Sequence, residues 1–271
     1  MTEPFQLINE SFLTISEWQN QQPNLTVGFT TKNGGVSHGN FSSLNLGLHV
    51  NDDELSVQQN KKYLANLLSL STNKWVGCNQ VHDNKIMKVE KKHAGAGVMD
   101  EETSIQKTDG IYTKEKDILL TLCFADCVPL YFWTENMVGL AHAGWQGTVK
   151  LIGPEMINKL VREEEIDPKE VKVAIGPSIS SEHYIVDDKV INAVTPLIHK
   201  EEKHLVYKEI SEGQYSLDLK LLNKLLLLKV GVKVENILVS NFCTSENSDL
   251  FFSHRRDKGK SGRMISFIGM K

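Results

Sequence analysis

The chain has 271 residues, 40% of them hydrophobic and 24% charged, the make-up of a globular protein with enough apolar material for a substantial core. Its formal net charge of −4 carries no basic excess, which argues against broad binding to nucleic-acid backbones. The most apolar window, ILLTLCFADCVPLYFW at 118–133, is too short, and too broken by Asp126 and Pro129, to span a membrane.

In chain order, the N-terminal MTEPFQLINESFLTI lacks the basic start and unbroken apolar core of a secretory signal. A reduced, cytoplasmic setting is therefore expected. There Cys78, Cys123, Cys127 and Cys243 read as metal-binding, catalytic or buried rather than disulfide-bonded. LTVGFT at 25–30 predicts a strand running into a KNGG turn. ELSVQQNKKYLANLLSL at 54–70 has helical spacing behind an Asn-Asp-Asp cap. WVGCNQV, KIMKVE, DGIYT, DILLTLCF, VPLYFW and MVGLAHA follow as short strands.

GTVKLIGPEMINKLVREEE at 147–165 predicts one amphipathic helix, with Pro154 near its start. VKVAIG is a strand and DDKVINAVTPLI a short helix. SLDLKLLNKLLLLKV is a helix closed by Gly231, and NILVSNF and RMISFIG are final strands. No repeat or linker divides the chain. The pattern predicts a single α+β domain over residues 1–271, with mixed β-sheets packed sandwich-like and flanked by helices.

Three segments carry metal-binding side chains: NQVHDNK with His82, FADCV with Cys127 and LAHAGWQGT with His142. One thiolate and two imidazoles suit zinc, and three protein ligands leave a position open, as at catalytic sites. Their wide spacing requires convergence through the fold. Cys127 as a small core residue and His142 as a satisfied core histidine are the competing readings. Ala143, Gly144 and Gly147 beside them favour close approach of backbone to a ligand. Cys123, four residues before Cys127, is a reserve ligand. FFSHRRDKGKSGRM at 251–264 gathers His254, Arg255, Arg256, Lys258, Lys260 and Arg263, suited to phosphate, although composition alone favours a solvated basic loop.

With these pieces assembled, the chain resembles the YfiH-type laccase-domain family, also described as multicopper polyphenol oxidase-like and as zinc-dependent purine nucleoside phosphorylases. The resemblance rests on FTTKNGGVS, FSSLNLGLHVNDD, NQVHDNKI, TDGIYT, FADCVPL, AHAGWQGT, AIGPSIS with Tyr184 and Val186, and FCTSENSDLFFSHRRDKGKSGRM. It implies that His82, Cys127 and His142 bind zinc at an active site, with Asp126 beside them. His254, Arg255, Arg256, Arg263 and Asn45 are the candidate contacts to substrate or phosphate. The implied activity is phosphate-dependent cleavage of adenosine, inosine, guanosine and methylthioadenosine, with adenosine deaminase activity at the same site. Asp126 and Asp109 are the nearest acids for proton transfer, and hydrogen bonding behind the ligands or within a turn is the equal alternative for both. Gln146 stands where the family usually has arginine.

Copper could take the same three ligands. A multicopper centre is not expected, because the nine histidines include no His-x-His pair. The competing functions are a cysteine hydrolase using Cys127 and His142, and a non-catalytic zinc-containing nucleotide-binding protein. Small-molecule nucleosides and phosphate are the expected partners of a monomer or homodimer, without nucleic acid or membrane.

Overall fold

Long apolar runs such as ILLTLCF and VPLYFW lack the in–out alternation of a strand with one wet face, and sheets covered on both faces explain them. The computed structural model describes residues 2–271 and contains two such sheets. The first runs, edge to edge, Phe5–Asn9, Phe12–Ile15, Leu25–Thr30, Met264–Met270, Ile118–Phe124 and Trp75–Val76. All its neighbours are antiparallel except the last pair. The second runs Ile237–Val239, Lys172–Ile175, Val128–Thr134, Met137–Ala143, Gly110–Thr113 and Ile86–Lys88, with both outermost pairs parallel.

The sheets pack face to face. Leu120, Leu122, Phe124 and Ile268 of the first meet Tyr131, Trp133, Val138 and Leu140 of the second. The outer face of the first sheet, with Leu119, Ile265 and Phe267, is covered by the helix Glu54–Leu68 through Leu64, Ala65 and Leu68. The outer face of the second, with Leu130, Phe132 and Ala141, packs on the helices Ile152–Glu164 and Leu219–Lys229. The α+β expectation of mixed sheets flanked by helices therefore holds. Tyr131 also ties the two sheets together, its hydroxyl donating to the Gly28 carbonyl at 2.8 Å.

Most predicted elements form where their patterns place them, including the cap at Asp53, whose side chain accepts from the Ser56 amide. Several expectations need correction: NILVSNF is a strand only over Ile237–Val239, and KIMKVE only over Ile86–Lys88. WVGCNQV is a strand only over Trp75–Val76, because the chain then turns away toward His82. The single helix at 147–165 is two, Trp145–Val149 and Ile152–Glu164, separated by Leu151 at φ +65. A continuous helix would drive the Pro154 ring into the carbonyl of Lys150, so the break falls just before the proline. Asp188–Val194 is a helix, but its continuation Thr195–Leu197 tightens to a 3₁₀ turn at Pro196.

A third, small antiparallel sheet, which no sequence pattern predicts, consists of Ile185–Asp187, Gln214–Leu217 and Tyr207–Ser211. It supplies one wall of the cavity described below. The chain crosses from the first sheet to the second at Ala125–Cys127, between Ile118–Phe124 and Val128–Thr134. Among the described residues, no helix is long and apolar enough to cross a membrane.

Candidate metal centre and its cavity

The crossover places Cys127 at the start of a second-sheet strand, and its neighbouring strand carries His142, one position from that strand's end. His82 comes from the loop before Ile86–Lys88. Fold convergence thus brings one atom each of His82, Cys127 and His142 within 4.8 Å of one another. Cys127 Sγ lies 4.0 Å from His82 Nε2, and the two imidazole rings meet edge to face at 4.8 Å. Gly144 makes this approach possible: a Cβ there would lie 2.9 Å from Cys127 Sγ and 3.1 Å from the His82 ring.

Asp109 organises the group from behind. Its carboxylate is fully buried and accepts the successive backbone N–H groups of Val81, His82 and Asp83, each at 3.0 Å. It also pairs with His142 Nδ1 at 2.9 Å. The three amides hold His82 in a left-handed backbone conformation, φ +59, that a non-glycine residue adopts only at a cost of about 1–2 kcal/mol. In the fourth contact Nδ1–H donates to the carboxylate and Nε2 points away from it, the arrangement of a metal-ligating histidine with its outer carboxylate, in which a bound ion would replace the Nε2 proton.

Charge in the group follows from these contacts. Burial alone would push the Cys127 thiol up, but the neighbouring His142 and His82 imidazoles outweigh it and draw it down to about 6. Burial works against a charged His142, yet Cys127 and Asp109 prevail and raise it. Burial likewise opposes an ionised Asp109, and the bonds from His142 and the loop amides hold it below the ordinary carboxylate range. A thiolate, two imidazoles and a fixed carboxylate behind them form a donor set that fits a borderline-soft divalent ion.

His82 and Cys127 line a cavity of about 580 Å³, while His142, only 4% exposed, lies beneath them. Trp145 and Gln146, at the start of the short helix after His142, line it too. Ile185–Asp187, Gly213 and Gln214 of the third sheet form another wall, with Ile179, Tyr184, His254 and Arg255. Asp126, at φ +85, also lines the cavity, but its oxygens are taken: Oδ1 accepts from the Thr244 hydroxyl, and Oδ2 from the Ser253 hydroxyl and the Arg255 amide. Arg255 in turn donates to the Ile185 carbonyl at 2.7 Å and lies over the Tyr184 ring.

The rest of the basic stretch does not reach this cavity. Arg256 turns inward to the carbonyls of Thr244, Ser245 and Phe251 and to Asp257. Arg263 bonds its own neighbours Ser261 and Gly262. Asn45 is fully buried and fastens the 45–52 loop, accepting from the Gly47 and Arg263 amides and donating to Asp52. Sequence reading missed Trp145 and Gln214 as lining residues. Trp145 lay inside a recognised motif, whereas Gln214 belongs to the small sheet that left no pattern.

The family model of the multi-copper polyphenol oxidoreductase laccases matches residues 26–271. The chain belongs to this family. Like it, purine nucleoside phosphorylase YlmD of Bacillus subtilis (strain 168) spans nearly the same length: 48% identity over 273 aligned residues, 99% of this chain and 98% of that protein. The crystal structure of YlmD from Geobacillus stearothermophilus superposes with a TM-score of 0.96 at 45% identity, covering all of both chains. That of the Bacillus licheniformis hypothetical protein YfiH gives 0.95 at the same identity and coverage. The YfiH-type resemblance read from the motifs is thus a family membership shared end to end with this branch of the laccase-domain proteins.

Proposed function

We propose that the chain is a zinc-dependent purine nucleoside phosphorylase, acting on adenosine, inosine, guanosine and methylthioadenosine, with adenosine deaminase activity at the same site. The observation that carries this reading is the three-donor group of His82, Cys127 and His142 set in a cavity that also presents Arg255 and His254. The phosphorylase name borne by relatives such as the B. subtilis protein supports the same chemistry.

His82 Nε2, Cys127 Sγ and His142 Nε2 would hold the zinc, which when bound supplies Lewis acidity beside the substrate. Asp109 keeps the His142 proton on Nδ1 and fixes the His82 loop. Arg255, braced by Asp126, Ile185 and Tyr184, binds phosphate through its remaining guanidinium donors by charge-assisted hydrogen bonds. His254 lines the cavity beside it. Asp126 acts by positioning Arg255 and the crossover turn, since three donors already occupy its oxygens. Trp145 and Tyr184 offer aromatic surface for the purine, and Gln146 supplies neutral donor and acceptor groups at the rim.

A cysteine hydrolase would need Cys127 free and a single base beside it. Two imidazoles converging on the one sulfur, with a carboxylate committed behind them, fit a metal centre better. The test is release of hypoxanthine from inosine with and without phosphate, alongside metal analysis of protein purified without added metal. Phosphate-dependent release and about one zinc lost on Cys127→Ala, with activity lost as well, are expected. Equal release without phosphate would make the enzyme a hydrolase.

A further inference from the structure

A second cluster of unlike donors lies outside the group just described. His183, Cys243 and Glu246 bring an imidazole nitrogen, a thiol sulfur and a carboxylate oxygen within 4.8 Å of one another. Cys243 Sγ is 3.7 Å from His183 Nδ1. Two ligands on a tetrahedral zinc, at ordinary Zn–S and Zn–N lengths, sit about 3.6 Å apart. The sulfur and nitrogen already stand at the separation that one shared ion would impose.

The backbone holds the thiol in place from several directions. Cys243 forms an isolated β-bridge with Ser178, and its amide donates to the Asn247 side chain at 3.0 Å. The Thr244 amide donates to the Ser178 carbonyl at 3.1 Å. The Ser180 amide donates to the Cys243 sulfur at 3.3 Å, the kind of outer hydrogen bond that orients a ligand sulfur. Cys243 is 1% exposed, whereas His183 and Glu246 are exposed, so the sulfur forms the floor and the other two donors an open rim through which an ion can enter. One thiolate and one carboxylate would balance a divalent charge.

We propose that His183, Cys243 and Glu246 bind a second divalent ion of the zinc class, with water completing the fourth position. The ion would clip the 178–185 segment to the 243–247 turn. Both segments border the cavity: Ile179 and Tyr184 line it, and the Thr244 hydroxyl donates to Asp126. The second ion would therefore stiffen the wall against which Arg255 stacks, without touching the reacting atoms.

Cobalt(II) tests the site directly, because a thiolate bound to cobalt gives a near-ultraviolet charge-transfer band. Metal-free Cys127→Ala protein, which lacks the first site's sulfur, is titrated with cobalt(II). One equivalent with the thiolate band is expected. The band should vanish in Cys127→Ala/His183→Ala and weaken about 10–100-fold in affinity in Cys127→Ala/Glu246→Gln. His183 and Glu246 are exposed, so their removal leaves the core intact, and circular dichroism verifies the fold. His183→Ala alone should keep one equivalent at Cys127, which reads the first site separately. Absence of the band in Cys127→Ala, or its persistence at unchanged affinity without His183, overturns the second site and leaves the first untouched.

Discussion

Asp109 gives four donors one acceptor: three consecutive amides and an imidazole. Asp109→Asn replaces one oxygen by a donor and ends the preference for a proton on His142 Nδ1. On the proposed metal reading, affinity for the ion should fall about 10–100-fold, read by competition with a chromophoric chelator. Gly144→Ala tests the front of the same group, since its methyl would press on Cys127 Sγ and the His82 ring. It should reduce metal content severely while circular dichroism stays unchanged. Thiols and imidazoles beside small residues made His82, Cys127 and His142 candidates in the sequence, the family resemblance singled them out from the competing readings, and the fold brings them together. Asp109 was legible as an acid for either proton transfer or hydrogen bonding, but its partners were not, because they are mostly backbone amides some 26 to 28 positions away, and amides leave no mark in a sequence. Arg256 and Arg263 show the converse: their charge was plain, but the carbonyls that absorb it were not.

At the scale of elements, the helices were readable where a cap, a periodic face and a stop coincided. Asp218 caps Leu219–Lys229 by accepting from the Leu221 amide at 2.8 Å, and Gly231 follows at φ +94. Asp218→Ala should lower stability by about 1 kcal/mol, measured as a shift in the urea midpoint. Phe5–Asn9 and Tyr207–Ser211 escaped notice for a physical reason. Both are edge strands with most residues at least partly exposed, so neither shows a buried face for periodicity to reveal. Strand order was equally hidden. Met264–Met270 lies between Leu25–Thr30 and Ile118–Phe124, a pairing fixed by shape and burial across most of the chain.

For the whole molecule, Glu164 joins parts that no single element contains. It accepts from Lys88 and Lys114, each at 2.6 Å, and from the Tyr112 hydroxyl at 3.0 Å, linking the helix Ile152–Glu164 to the edge of the second sheet. Burial would raise its carboxyl, but those three donors overcome that and hold it at about 2, below the ordinary 4.5. A depressed folded-state value stabilises the protein above the unfolded value, and that stabilisation is lost as pH falls from 4.5 toward 2. Urea midpoints should therefore drop through this window. Glu164→Gln should start about 2 kcal/mol lower at neutral pH and fall less steeply on acidification.

The crossover at Ala125–Cys127 has a consequence for when the protein can mature. Its turn is fixed through Asp126 by Thr244, Ser253 and Arg255, and the strand beside its entry is Met264–Met270. A ribosome delivers His82, Cys127 and His142 long before it delivers those partners. A nascent chain thus holds all three donors for more than a hundred further residues before the scaffold that spaces them is made. An ion held by the three residues would therefore be taken up late, once the strand Met264–Met270 has arrived, rather than when the ligands first appear.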